Sequence, residues 1–379
     1  MKLIYIANVR IPTEKAHGYQ IAKMCEQFAA AGAVVELITP TKNNPIKQDL
    51  FEYYGLKKNF GVCRLKMPDF LVYEKILGRL AMYLQWLFFT VKLFFLKVKP
   101  GSLIYTRDQG AALVFGIRGL SVCFEAHDWS SAGTSFAPFL LKKVKYSVAT
   151  TDFTKEELIG CGFKPAKILV ASNGVELADF IVSATAAEFR KQLKLPLDKK
   201  IILYSGQLYA WKGVDIFLKA AARLAEQTDI LFIVVGGASQ EVKKYREVAA
   251  NRKLKNIVFT GNLHRKIVPS YLIAADLLIL PNSAKNRESI FFTSPIKMFE
   301  YLAAGKPIIA SDLPSLRLIL NNGNCIFFEP DNFADLAEKI KQALADPVLR
   351  EKISRQARAD AEQYGWDKRA RKILEFIKG

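Results

Sequence analysis

Lys212 closes the run Gly206-Gln207-Leu208-Tyr209-Ala210-Trp211-Lys212-Gly213, which lies between an apolar segment and a helical pattern. An ammonium held at such a strand-to-helix turn can point at a phosphate. The plainer alternative is a solvated lysine before a glycine turn, and the GxxxxGK[ST] spacing of a Walker loop is absent. A second candidate is FFTSPIKMFEYL at 291–302. Ser294 reads as a helix N-cap with Pro295 in the first helical position, so the free N–H groups and dipole of that helix could seat a diphosphate. Glu300 follows between Phe299 and Leu302. A carboxylate in that apolar setting needs a partner, which a ribose diol or an internal hydrogen bond would each supply.

The first half offers three more positions. Gly18 opens a helical pattern after a long loop, IANVRIPTEKAHG, either letting backbone approach a ligand or serving the turn alone. His127-Asp128 follow the apolar run LSVCFEA, and Arg107-Asp108 follow SLIYT. An imidazole there could contact substrate or be structural, while an arginine beside an aspartate also reads as a structural pair.

Positioning these residues requires strands that end just before them. KLIYIAN (2–8), AVVELITP (33–40), SLIYTRD (102–108), LSVCFEAHD (120–128), KYSVATTD (145–152) and KILVASNGV (167–175) read as strands. Helical patterns at 18–32 and 154–162 lie among them. The stretch 176–200 lacks a strand and reads as an interdomain connection. The pattern then restarts with IILYSG (201–206), ILFIVVGG (230–237), NIVFTG (256–261), DLLILPN (276–282), PIIASD (307–312) and NCIFFEP (324–330), separated by helical patterns. A polar helical tail, 347–378, carries Trp366. Apolar strands alternating with helices predict parallel sheets covered on both faces, and 379 residues suit two Rossmann-like halves. Ligands bind beyond the carboxyl ends of such strands.

Composition sets the class of partner. The chain is 51% hydrophobic, which excludes intrinsic disorder, yet its net charge of +19 favours anions. That excess is spread, with 24 basic against 16 acidic residues in 1–190 and 31 against 20 in 191–379. A basic nucleic-acid arm is therefore not indicated. Five separated cysteines read as reduced core residues, and three histidines without HxxxH or DxD arrangements indicate no metal. The first apolar run is too short for a signal peptide and lacks a cleavage site. The segment LAMYLQWLFFTVKLFFL (80–96) is too short and too polar at Lys92 for a membrane span. Its apolar positions run nearly all round, so it is either buried on most sides or lies in a lipid interface.

Taken together, IPTEKAHG, YTRD (105–108), FEAHD (124–128), SNGVELADF (172–180), YSGQLYAWKGVD (204–215) and TSPIKMFEYLAAGKPIIASDLPS (293–315) resemble the family 4 retaining glycosyltransferases of GT-B architecture. The resemblance covers nearly the whole chain. It implies an α/β fold of two Rossmann-like domains facing each other across a cleft. An acceptor-side domain would span 1–180 and a nucleotide-sugar domain 181–362, with a C-terminal helix, 363–379, packing back on the first. It implies donor contacts from Gly18, Gly206, Gln207, Lys212, Leu263, His264, Thr293, Ser294, Pro295 and Glu300. Lys212 would bind the diphosphate, Glu300 the ribose, and the backbone at Leu263 and His264 the base. His127 would lie near the reacting sugar and, with Lys212, carry the catalysis; His17, Arg107 and His127 would form the acceptor side.

The implied reaction moves a hexosyl-type sugar from a UDP- or GDP-sugar to a glycan or lipid-linked acceptor in cell-surface polysaccharide or glycolipid synthesis. The nucleotide sugar is a co-substrate, with no cofactor, metal or nucleic acid. The location implied is the cytoplasm, with peripheral contact at the inner face of an anionic membrane. Two positions depart from the pattern. Phe292 stands eight residues before Glu300, where the family often has a glutamate that Glu288 is out of register to replace, and Gln207 stands where many members have an arginine. A sugar-nucleotide epimerase of the same fold and a non-enzymatic polyanion-binding protein are the alternatives.

Overall fold

The computed structural model describes residues 1–127 and 137–379. The chain forms two compact units, Met1–Ser172 together with Trp366–Gly379, and Asn173–Gly365.

The first unit contains β1 (Lys2–Ile6), β2 (Val34–Pro40), β3 (Gly61–Leu65), β4 (Leu103–Thr106), β5 (Ser121–Ala126), β6 (Tyr146–Ala149) and β7 (Ile168–Val170). They form one parallel sheet in the order β3-β2-β1-β4-β5-β6-β7. Alternate residues are apolar on both faces. Ile4, Ile6, Ile104 and Phe124 pack in one cluster with Phe89, Leu93 and Phe115 from helices. On the other face the Tyr105 ring lies 5.0 Å from Tyr5 and 5.1 Å from Phe28 of helix Ala16–Ala30. β3 was not expected from the sequence, because GVCRL has neither a continuous apolar run nor a buried face.

The second unit contains β8 (Lys200–Ser205), β9 (Ile230–Val235), β10 (Ile257–Gly261), β11 (Leu277–Leu280), β12 (Ile308–Ser311) and β13 (Ile326–Phe328). Its parallel order is β10-β9-β8-β11-β12-β13, so strand order reverses between β8 and β11. Ile202, Tyr204, Phe232 and Ile279 join one core cluster, whereas Ile201, Leu203, Ile233 and Leu278 join another. That period-2 split, apolar on both sides, explains why these segments read as continuous hydrophobic runs.

Two expectations need correction. The stretch 176–200 is more than a connection, because helix Ala186–Gln192 docks within the second unit. Its buried Arg190 donates from Nη2 to Asp276 Oδ2 at 2.7 Å and from Nε to the Ala274 carbonyl at 2.8 Å. The C-terminal tail is also broken at Gly365 into helices Pro347–Ala361 and Trp366–Lys378. The first belongs to the second unit and the last to the first unit, where Trp366 packs edge-on to Tyr19. An amphipathic helix lacking a local apolar run buries its stripe on whichever surface the chain reaches.

Candidate active site

The carboxyl edge of each sheet carries a separate polar cluster. In the second unit, β8 ends at Ser205, whose N–H donates to the Tyr301 hydroxyl at 2.7 Å. Gly206 and Gln207 follow, and the Gln207 carbonyl accepts from the Tyr204 hydroxyl at 2.6 Å. The loop then turns through Ala210–Lys212 to Gly213, which has φ of 75°. A Cβ at Gly213 would lie 1.6 Å from the Pro281 carbonyl oxygen, just past β11. The Ser283 N–H also donates to the Trp211 carbonyl at 3.0 Å. Glycine is therefore what lets the Lys212 turn rest at the strand-order reversal, where ligands of such sheets bind.

Lys212 is half-buried, with Nζ 3.6 Å from the centre of the Trp211 ring. Burial pulls its ammonium down to about 7, opposed by the charge of Glu288. Glu288 therefore acts electrostatically on Lys212. Phe292, eight residues before Glu300, is buried.

The helix expected at 295–304 runs Ile296–Ala304 with Pro295, not Ser294, as its N-cap. Ser294 is drawn away by Asn173, which donates to its hydroxyl at 3.2 Å and to its carbonyl at 2.6 Å. Pro295 has no side-chain cap to offer, so the first turn lacks a side-chain cap hydrogen bond. Thr293 is buried beside it. Glu300, on the same helix, is buried and accepts from Arg265 Nη2 at 2.7 Å. Arg265 is thus an internal partner of this carboxylate. Arg265 was not singled out in the sequence; it follows Leu263 and His264 after β10. Leu263 packs against the core, and exposed His264 caps the short turn Arg265–Ile267.

In the first unit, Arg107 follows β4 and His127 follows β5 directly. His127 Nε2 lies 2.5 Å from Oε1 of fully buried Glu125. The same oxygen accepts from Gln20 Nε2 at 2.8 Å and from Arg369 Nη2 at 2.9 Å, and Tyr105 donates to Oε2. Arg107 Nη1 donates to Gln20 Oε1 at 2.8 Å, so the network reaches the sheet edge. Burial alone would raise the Glu125 carboxyl, but Arg369, His127 and Arg107 hold it well below the usual range. Burial, reinforced by Arg107, pulls the His127 imidazole down to about 4. His17 is pulled to about 4 by the same causes, with Lys15 and His127 adding to them. His17, Arg107 and His127 thus form one cluster, with both imidazoles neutral at pH 7. Opposite an anionic Glu125, His127 donates from Nε2, leaving Nδ1 as its acceptor. Gly18 is buried in the helix, where a Cβ would lie 2.3 Å from Thr13 and from the Tyr54 hydroxyl. Asp128 lies outside the described residues.

Glu125 and Arg369 escaped sequence reading. Glu125 sits within an apolar strand and Arg369 in a polar tail, and neither context signals a buried pair. Among the described residues, no group of three His, Cys, Asp or Glu side chains could hold a metal ion.

Residues 185–360 match the family model described as glycosyl transferases group 1. The chain is 28% identical over 235 residues to a D-inositol 3-phosphate glycosyltransferase of Streptomyces bingchenggensis, covering 59% of this chain and 50% of that one. It is 25% identical over 224 residues to an alpha-D-kanosaminyltransferase of Streptomyces kanamyceticus, covering 57% and 55%. The chain thus spans about half the length of these curated relatives. Among solved structures, Anabaena HepE in complex with UDP and glucose matches with a TM-score of 0.75 at 19% identity, covering 100% of both chains. The fold is that of GT-B glycosyltransferases, two Rossmann-like α/β units with parallel sheets.

Proposed function

We propose that this chain, which carries the glycosyl transferases group 1 domain over residues 185–360, is a retaining glycosyltransferase. It moves a hexosyl-type sugar from a UDP- or GDP-sugar to a glycan or lipid-linked acceptor of the cell envelope. The observation that carries this reading is Lys212, held by Gly213 against Pro281 where strand order reverses in the second sheet. UDP and glucose bound by the Anabaena protein favour a UDP-hexose donor.

As the anomeric bond breaks, Lys212 and the dipole of helix Ile296–Ala304 offset the charge growing on the departing nucleoside diphosphate. Neutral His127, its tautomer set by Glu125, orients the sugar or the acceptor hydroxyl. Attack comes from the face the leaving group vacates, without a protein nucleophile, a cofactor or a metal. His17 and Arg107 extend the acceptor side.

A membrane surface is the place of work. Among the described residues no helix is long and apolar enough to cross a membrane. Helix Arg79–Phe94 nevertheless buries Ala81, Gln85, Phe89 and Leu93 on one side and exposes Leu80, Tyr83, Leu87, Val91 and Phe94 on the opposite side. Lys75, Arg79, Lys97 and Lys99 flank that exposed stripe, the pattern of a helix seated in an anionic interface.

The test is a thermal-shift screen with UDP, GDP, ADP and their sugars, followed by transfer assays of Lys212→Ala. Losing a key electrostatic contact should cut transfer roughly 10²-fold. Near-wild-type turnover would overturn the assignment. Conversion of the donor sugar with no acceptor present would instead identify an epimerase.

A further inference from the structure

Lys297 has no part in the scheme above, although its surroundings are unusual for a lysine. It lies in the first turn of helix Ile296–Ala304 and is 8% exposed, and among the described residues its Nζ has no hydrogen-bond partner. The ammonium sits 3.8 Å from the centre of the Tyr204 ring and 3.7 Å from where a Cβ on Gly206 would lie. Tyr204 is fully buried, and its hydroxyl is held by the Gln207 carbonyl, so the ring face under the ammonium is fixed. Burial pulls Lys297 well below the usual lysine range; the charge of Lys212 pushes the same way, and Glu300 opposes it.

An ammonium in that place is costly, because the Tyr204 face recovers only part of the lost hydration. A methionine would fill the same space without that cost. What the lysine adds is positive charge beside Gly206, near enough to Lys212 for the two to repel, and on the helix turn whose N–H groups lack a side-chain cap. Position 207 contributes none, being glutamine. A departing nucleoside diphosphate carries more negative charge than Lys212 alone offsets.

We infer that Lys297 is a diphosphate-binding residue, supplying from helix Ile296–Ala304 the second positive charge that holds the phosphates of the nucleotide donor with Lys212. This rests on the donor reading above. A diphosphate beside Lys297 turns an unpartnered ammonium into a charge-assisted donor.

The experiment compares wild type, Lys297→Met and Lys297→Arg by calorimetric titration with UDP, GDP and ADP and with uridine, guanosine and adenosine, alongside thermal melts without nucleotide. Lys297→Met should melt at or above the wild-type temperature, since an uncompensated buried ammonium is gone. Its Kd for the bound diphosphate should rise about 10- to 100-fold, the scale of a charged hydrogen bond, while the matching nucleoside binds as before. Lys297→Arg, which keeps the positive charge, should hold the bound diphosphate more tightly than Lys297→Met does. An unchanged diphosphate Kd in Lys297→Met overturns the inference and leaves the donor reading standing. So does a variant that melts below wild type and loses nucleoside and diphosphate equally, which would make Lys297 a packing residue. If wild type binds none of the three diphosphates, the donor reading falls and the inference falls with it.

Discussion

Arg369 on the last helix donates to Glu125 at the end of β5 across 2.9 Å, pairing two buried side chains 244 residues apart. The same guanidinium donates to the carbonyls of Ser172 and Ala171 beyond β7, so one side chain ties the chain's last helix to two strand ends of the first unit. Through Glu125 that helix also sets the imidazole of His127.

Replacing Arg369 with methionine leaves the Glu125 carboxylate buried without its strongest partner. The expected cost is about 3–5 kcal/mol of unfolding free energy, read from urea transitions. The double variant Arg369→Met, Glu125→Gln should recover part of it. Wild-type stability in the single variant would show that Gln20, Tyr105 and His127 suffice.

Acidification should weaken the first unit below neutrality. Unfolded imidazoles titrate near 6.5, whereas His17 and His127 in the fold titrate near 4. Between those values the unfolded chain binds more protons, so stability is complete above about 6.5 and is lost as pH falls toward 4. Urea midpoints at pH 7 and pH 5 should differ in that direction, and His17→Gln with His127→Gln should shrink the difference. Equal midpoints in the wild type would contradict the buried neutral imidazoles.

Gly213→Ala tests the seat of Lys212. With φ of 75° and a Cβ 1.6 Å from the Pro281 carbonyl, alanine must push the loop off β11. The expected loss is about 2 kcal/mol or more in stability, accompanied by weakened nucleotide binding. A variant that melts and binds like wild type would mean that the Lys212 turn tolerates displacement.

The exposed stripe of helix Arg79–Phe94 should bind phosphatidylglycerol vesicles at low salt and release them at high salt, because the flanking cations are screened. Tyr83→Ser, Leu87→Ser and Val91→Ser together should leave the fold intact, these side chains being exposed, and keep the protein in the supernatant. Wild type that never sediments with the vesicles would remove the membrane from the proposal.

The amino-acid sequence by itself determined the parallel α/β architecture. IILYS, ILFIVV and LLIL are apolar at every register, and only strands covered on both faces use such runs. It also placed Lys212, Glu300, Arg107 and His127 just after strands or on the helices that follow, because strand-to-helix order is a local property. Tertiary structure decided which charges are buried and with whom. Glu300 meets Arg265, Glu125 meets Arg369, and Lys297 is enclosed beside Gly206, although each reads in sequence as an ordinary charge on a strand or helix. It also split the polar tail at Gly365 between the two units and turned one apolar face of helix Arg79–Phe94 to solvent. Periodicity reports which side of an element is apolar. What lies against that side depends on contacts between distant segments, and those contacts set desolvation and pairing for every charge in both clusters.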